Sequence, residues 1–414
     1  MLFRSKAQGY GYANLEHQAR VGPDTMFQSG SIGKQFTALA VMSLVEDGKL
    51  RLSDPLTKFF PDAPETWSSI TIKNLLTHTS GLPDTDDHGK LDNRKDYTEA
   101  ELAQVAFGLT LEFPPGARWR YSNTGYVLLG IVIHNVSKMF YGDLLEARVF
   151  KPLAMTTARV ISEADIVANR AAGYRLENGK VKNQSWVSPS LNTTADGSLY
   201  FSVRDVLAWD AAIRARTLFK PESWAAVFEP AMLRSGKPYP YGLGWFLDER
   251  GGAQLHHHRG SWQGFKAQFS RFIGEDLSIV VLANLAEADP ERFADGIAEI
   301  INPKLAKPAL IAIMDRDPQV TSKVSLLLDQ ARAGALPTAD FVQMQTNFFP
   351  GGAKMIQEQL SRLGSLQNMV LVQRAIKGDD RIFTYELAFS AQSLHYTVAF
   401  GPDGRVSQFQ LRDK

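Results

Sequence analysis

Residues 27–48 read FQSGSIGKQFTALAVMSLVEDG, with Ser31 and Lys34 one helical turn apart at the head of an apolar run. Side chains at i and i+3 share one face of a helix. A serine hydroxyl is a weak nucleophile until a neighbouring base takes its proton, and a helix N-terminus supplies positive potential that stabilises developing negative charge. Ser31-Ile32-Gly33-Lys34 is therefore a candidate nucleophile with its base, set against a reading in which Ser31 caps the helix and Lys34 is a solvated charge. Two other motifs fail at this position. A phosphate-binding G-x-x-x-x-G-K-[ST] loop needs glycine where Gln28 stands and a hydroxyl where Gln35 stands, and a G-x-S-x-G elbow needs glycine at Ser29.

Two more stretches carry groups suited to a cleft. In YSNTGYVLLGIVI, Tyr121 and Asn123 stand just before an apolar stretch that reads as a buried helix, a junction from which both can project into a cleft. The competing reading packs Tyr121 and makes Asn123 the helix cap. HHHRGSWQGF reads as a strand on which His258, Gly260 and Trp262 share one face and Arg259 takes the other. Gly260 has no side chain to hold a substrate backbone away from that strand. His256, His257 and His258 raise a metal site only weakly, because alternate residues share a face and no acidic or thiol partner is near in sequence. His78, in LLTHTSGLP, is expected to be a hydrogen-bonded structural histidine. Trp119 is expected in the core or on the cleft wall, and Asp84, Asp86 and Asp87 in a solvated loop bordering the cleft.

The elements that must hold these groups are legible in the rest of the chain. At 414 residues the chain exceeds the size at which one core stops growing, so two domains of unequal size are expected. Lys+Arg 45 against Asp+Glu 44 gives a formal charge of +1, which argues against a nucleic-acid partner. With no cysteine the chain has no disulfide, thiolate nucleophile or thiolate zinc ligand. No stretch reaches the roughly 18 consecutive apolar residues of a membrane span, and the N-terminus lacks the apolar region of an export signal. In the first domain, residues 1–302, FKAQFSRF (265–272) and LSIVVLANL (277–285) read as an antiparallel hairpin. The helix DPERFADGIAEIIN should lie on that sheet through Phe293, Ile297 and Ile300 or Ile301. The helix after Ser31 should bury Phe36, Leu39, Ala40, Leu44 and Val45. Residues 303–337, with four prolines, read as a connector holding one helix. Residues 338–414 read as a small α+β domain: two helices (338–349 and 353–364), then strands near 369–375, 381–389, 394–400 and 406–411.

Ser31-x-x-Lys34, Tyr121-Ser122-Asn123 and His258-x-Gly260, in that order, resemble the motifs of the serine hydrolases that include class C β-lactamases, penicillin-binding proteins, D-alanyl-D-alanine carboxypeptidases, D-aminopeptidases and β-lactamase-like esterases. FQSGSIGKQFTA, LLTHTSGLP, FPPGARWRYSNTGYVLLG, KPLAMT, ADGSLYFSVRDVLAW and YGLGW extend the likeness from about Gly9 to Asn302. The resemblance implies an α/β (α+β) β-lactamase/transpeptidase-like fold: an antiparallel sheet flanked by helices, plus an all-helical subdomain. It implies that Ser31 attacks a carbonyl and forms an acyl-enzyme, with Lys34 and Tyr121 sharing proton transfer and either one as the base. By the same likeness Asn123 orients substrate, the N–H groups of Ser31 and Ser261 form the oxyanion hole, and His258, Gly260 and Trp262 border the substrate. No cofactor or metal is implied.

Class C β-lactamases carry lysine where this chain has His258, so the third motif is closer to the peptidase and esterase branches. The expected substrate is a small ester or a D-amino-acid amide or peptide. The alternatives are a β-lactamase or penicillin-recognising protein of slow turnover, and a catalytically silent partner-binding pseudoenzyme. A histidine at 258 predicts a rate that changes in the histidine pH range. The family usually places a helix, a strand and often an export signal before the AQGYGYANLE region. The chain as written is thus expected to be cytoplasmic, and periplasmic if residues precede it. The tail loosely resembles cystatin- or NTF2-like appendages, with packing, homodimerisation or gating of the cleft as its expected role.

Overall fold

The computed structural model of the protein describes residues 5–85, 91–161, 164–342 and 347–414. Helix α1 (Gly33–Glu46) is the centre of the first domain. Every residue from Gly33 to Leu44 is buried, polar ones included, so the single buried face expected from the sequence is too narrow. A helix surrounded on all sides is a core helix, and its neighbours supply the walls. They include the apolar α3 (Asn123–Ser137), against which packs α2 (Glu99–Phe107), capped by a reciprocal Thr98–Glu101 box. Helix α4 (Val203–Ala215), boxed by Ser202 and Asp205, adds Trp209, whose ring lies 5.1 Å from that of Phe36.

Against this helical body lies an antiparallel sheet in the order β1 (Phe246–Arg250), β2 (Ala253–Trp262), β3 (Phe265–Ile273), β4 (Leu277–Ala283). The expected hairpin is β3–β4, in register from Lys266 opposite Ala283 to Phe272 opposite Leu277. A buried ion pair, Arg271 to Asp210 at 2.6 Å, ties β3 to α4.

Helix α5 (Pro290–Ile301) covers the outer face of the sheet, with the Asp289 side chain accepting from the Arg292 N–H as its cap. Its orientation reverses the expectation. Pro290, Ala294 and Ala298 are buried, while Phe293, Ile297, Ile300 and Ile301 are exposed at 64, 40, 84 and 59%. Small alanines bring the helix close to Ala253, Leu255, Phe272 and Ile279, and that approach turns the larger stripe outward.

A second sheet domain follows, with its own core. Helix α6 (Pro318–Ala333), which the sequence reading placed inside the connector, contributes Val324, Leu327, Leu328 and Ala331 to that core. The helix expected over 338–349 is not formed at its start, and at its end residues 347–349 enter a π-helical turn, Asn347–Gly352, in which Phe349 is extended. Thr338–Asp340 is a single 3-10 turn, after which Phe341 is extended and bridges Val406; residues 343–346 lie outside the described set. Helix α7 (Ala353–Ser361) precedes β5 (Leu366–Lys377), β6 (Asp380–Phe389), β7 (Ser393–Phe400) and β8 (Val406–Asp413), an antiparallel meander. Among the described residues no helix is long and apolar enough to cross a membrane.

Candidate active site

Ser31 lies in a 3-10 turn, Gly30–Ile32, that runs straight into α1. The turn and the helix lack a side-chain cap at their N-termini, so the capping reading of Ser31 fails. Lys34 is 0% exposed, so the solvated-charge reading fails with it. Its ammonium donates to three oxygens: Ser31 Oγ at 3.2 Å, Asn123 Oδ1 at 2.6 Å and the Asp196 carbonyl at 2.5 Å. Burial lowers the Lys34 pKa to about 8, against the opposing pull of the Asp196 and Asp84 carboxylates.

Tyr121 comes down on this pair from the start of α3. Its ring centroid is 4.9 Å from the Lys34 ammonium. The hydroxyl lies near Ser31, which acts on its ionisation, and it has no close hydrogen-bond partner among the described residues. Burial raises its pKa well above the ordinary phenol value. The cap of α3 is Ser122, whose hydroxyl accepts from the Gly125 N–H at 3.4 Å. Asn123 is therefore not the cap. Its own N–H donates to Asp84 at 3.0 Å and its side chain is left for Lys34.

The strand carrying His258 and Gly260 reaches the Ser31 turn by close backbone approach. A Cβ on Gly260 would lie 1.9 Å from the Ser29 carbonyl oxygen, and one on Gly30 would lie 2.3 Å from the Ser261 nitrogen. Only glycine at both positions allows the contact, and Gly30 also adopts φ +50°. Strand β1 pairs with β2 only from Ala253 to His257, so residues 258–262 present an unpaired edge on that side. Ser261 points its side chain to the outer face, where its hydroxyl accepts from Lys266 at 2.7 Å.

His258 does not behave as expected. It is 2% exposed and burial lowers its pKa to about 3, so it stays neutral throughout the range in which a free histidine titrates. Burial removes its water, against the opposing pull of its bond to the Arg259 carbonyl, and a closed hydrogen-bond chain holds the neutral ring in place. The Ser122 N–H donates to His78 Nδ1 at 3.1 Å, which leaves the His78 proton on Nε2, 3.2 Å from the Tyr241 oxygen. Tyr241 in turn donates to His258 Nε2 at 3.0 Å, and His258 Nδ1 donates to the Arg259 carbonyl at 2.6 Å. Every polar atom of both imidazoles is thereby paired, and the chain joins the Tyr121 loop to the β2 strand. His78, in the left-handed region at φ 57°, is the structural histidine expected, and its pKa too is pushed down by burial.

A cleft opens beside Asn123 and Asp196. Asp84, Thr85, Thr124 and Trp262 line it with Leu102 and Ala106 of α2 and Val127 and Leu128 of α3. Trp262 is fixed there by donating to Asn192 at 2.6 Å. Trp119 is not among the residues that line the cleft; its ring stacks on Tyr239 at 4.4 Å and lies 6.4 Å from the Tyr121 ring. Asp84 is 8% exposed rather than solvated; Asp86 and Asp87 lie outside the described residues. His256 stacks on Phe228 and His257 faces Asp248 on the opposite side of the strand. Among the described residues no three His, Asp or Glu side chains converge as metal ligands.

Sequence reasoning missed Tyr241 and Asp196. Both lie in stretches quoted above for their likeness, YGLGW and ADGSLY, but neither has a spacing to Ser31 that implies contact.

A serine and a buried lysine at the head of a core helix, under a tyrosine loop and facing the open edge of an antiparallel sheet, define the β-lactamase/transpeptidase-like class. Residues 5–301 match the Beta-lactamase family model, and the chain belongs to that family of serine hydrolases. It is similar to penicillin-binding protein 4* of Bacillus subtilis (strain 168), 30% identical over 299 residues that are 67% of this chain and 65% of that protein; the chain thus spans a little under two thirds of that relative's length. A D-amino acid amidase from Ochrobactrum anthropi SV3, solved with D-phenylalanine, matches with a TM-score of 0.59 at 26% identity, over 71% of this chain and 87% of its own. An octameric penicillin-binding protein homologue from Pyrococcus abyssi shares the fold over 98% of this chain and 92% of its own, with a TM-score of 0.63 at 22% identity.

Proposed function

We propose that the protein hydrolyses amides or esters of D-amino acids through an acyl-enzyme on Ser31. The observation that carries the reading is the Lys34 environment. As a neutral amine Lys34 has two N–H bonds for two fixed acceptors, Asn123 Oδ1 and the Asp196 carbonyl, and one lone pair left for the Ser31 hydroxyl. A pKa of about 8 keeps roughly a tenth of it in that form at pH 7. Tyr121, whose hydroxyl burial holds protonated, is the poorer base and the better relay.

Lys34 takes the Ser31 proton as Oγ attacks the carbonyl carbon. The oxyanion is received by the Ser31 and Ser261 N–H groups, which Gly30 and Gly260 allow to approach one another. The proton held by Lys34 then passes through the Tyr121 hydroxyl to the leaving amine or alcohol as its bond to the carbonyl carbon breaks. Water repeats the sequence in reverse to free Ser31. Asn123 borders the cleft that takes the acyl group. That cleft offers apolar side chains and the Asp84 and Asp196 carboxylates, and no lysine or arginine among the described residues that line it. Such a lining favours an acyl group with an apolar side chain and a protonated amine over one with a carboxylate. The D preference is supported by the amidase structure alone.

The test is release of ammonia from D-phenylalanine amide, L-phenylalanine amide and N-acetyl-D-phenylalanine amide, with intact mass followed for a Ser31 adduct. The expected result is turnover of the first at least about tenfold above the other two. A long-lived penicilloyl adduct with no amide turnover would replace this reading by a penicillin-recognising one, and no adduct from any acyl donor would remove the enzyme reading.

A further inference from the structure

The loop that delivers Tyr121 is held from two directions. On its inner side the His78 segment fixes the backbone: Gly116 N–H donates to the Thr79 carbonyl at 2.7 Å, Arg120 N–H to the His78 carbonyl at 2.8 Å and Ser122 N–H to His78 Nδ1 at 3.1 Å. Its outer side is gripped by the appended sheet domain. Arg118 pairs with Asp403 at 3.1 Å, and its guanidinium occupies the space a side chain at Gly401 would need, 2.5 Å from a Cβ built there. The β5–β6 turn also sits on the first domain. Gly378, at φ +57°, faces Leu233 and Tyr239, which a Cβ there would meet at 2.7 and 3.2 Å, and the turn is pinned by Asp379 to Lys237 at 3.1 Å and by Lys377 to Asp248 at 3.2 Å. Tyr239 is the ring on which Trp119 stacks, and Trp119 in turn meets Tyr121 and, at 5.6 Å, Tyr241.

We propose that the appended domain is a positioning part of the active site: Asp403, through Arg118, and the β5–β6 turn, through Tyr239 and Trp119, hold the Tyr121 hydroxyl over Ser31. This rests on the reading of Ser31 as nucleophile and Tyr121 as proton relay. Contacts of this kind act on the geometry of the reacting groups, and a shift of about 1 Å in a catalytic group lowers a rate by up to roughly 10². None of Arg118, Asp403, Lys237 or Asp379 touches Ser31 or Lys34, so these residues reach the chemistry only through the loop and the aromatic rings.

The experiment uses the full chain and p-nitrophenyl acetate, with kcat, KM and the rate of Ser31 acylation measured beside thermal unfolding by circular dichroism. Arg118→Met and Asp403→Asn are each expected to lower the acylation rate about tenfold with KM changed less than twofold. The double variant should be no slower than either, and Arg118→Lys should recover most of the rate. Lys237→Met, which removes an exposed partner of the turn, should show a smaller loss of the same kind and keeps the test open if an Arg118 variant fails to fold. Variants that unfold at lower temperature yet acylate within twofold of the parent per folded molecule would overturn the proposal. A parent protein that gives no Ser31 adduct would instead overturn the reading beneath it.

Discussion

The two four-stranded meanders, β1–β4 and β5–β8, have the same strand order and antiparallel pairing and opposite uses of their inward faces. In β6 and β7 the inward residues Tyr385, Leu387, Leu394, Tyr396 and Val398 are each 0% exposed, and Tyr385 faces Tyr396 and Leu387 faces Leu394 in register. That face is filled, and it makes a core. On β2 the corresponding positions carry His256, His258, Gly260 and Trp262, beyond the reach of β1 from residue 258 onward. A sheet of ordinary topology borders a reaction where one edge is left unpaired and one inward position has no side chain, because a second backbone can then approach. The filled sheet contributes at its rim instead, by the turn and the acidic residue that grip the Tyr121 loop.

The contrast can be broken most severely at Ser31, the proposed nucleophile. Ser31→Ala is expected to lower turnover at least about 10³-fold and to abolish the acyl adduct, with circular dichroism unchanged. Next in size is Gly260→Ala, whose Cβ would lie 1.9 Å from the Ser29 carbonyl oxygen, and a loss near 10² in kcat/KM is expected. Gly274, in the β3–β4 turn at φ +88° with open space around it, is its control: Gly274→Ala should lower only the stability, by about 1 kcal/mol.

The pH dependence separates Lys34 from His258. With Lys34 near 8, kcat/KM should rise about tenfold from pH 7 to 9 and show no inflection near 6.5, replacing the profile expected from a titrating histidine. An inflection near 6.5 lost in His258→Gln would reverse that assignment. Stability follows the opposite end of the scale. Unfolded histidines take up protons below about 6.5, whereas buried His258 does so only near 3, so stability present above 6.5 should drain away as pH falls across that interval. Denaturant titrations at pH 7.5, 6 and 4.5 measure it.

Tyr241→Phe tests the hydrogen-bond chain. It leaves His78 and His258 each with one buried unpaired nitrogen, a loss of about 1–3 kcal/mol in stability with a few-fold fall in rate. The smallest effect on activity is expected from Leu394→Ala in the filled sheet. A cavity there costs about 2–5 kcal/mol, read from denaturant unfolding, while kcat per folded molecule stays unchanged.

Much of the site was legible where chemistry depends on short spacing. Ser31 and Lys34, three residues apart, had to share a face; Tyr121 and Asn123 had to stand at a helix start; His258 and Gly260 had to share a strand face. The α5 stripe misled because periodicity says which residues group together and not which group faces the sheet, and Ala294 and Ala298 won by allowing closer approach. Asp84 read as a solvated loop residue because its partner, the Asn123 N–H, is 39 positions away. Tyr241 gave no sign of its role, since the two imidazoles it joins lie on segments 163 and 17 residues from it.

By itself, then, the sequence determined the order of the helices and strands that carry the candidate site and the placing of Ser31 and Lys34 on one face, because hydrogen-bonding period and side-chain facing are properties of near neighbours. Tertiary structure decided the protonation states. The Lys34 pKa falls to about 8 and His258 stays neutral because water has been removed from both, and how completely a group is desolvated depends on every segment packed around it.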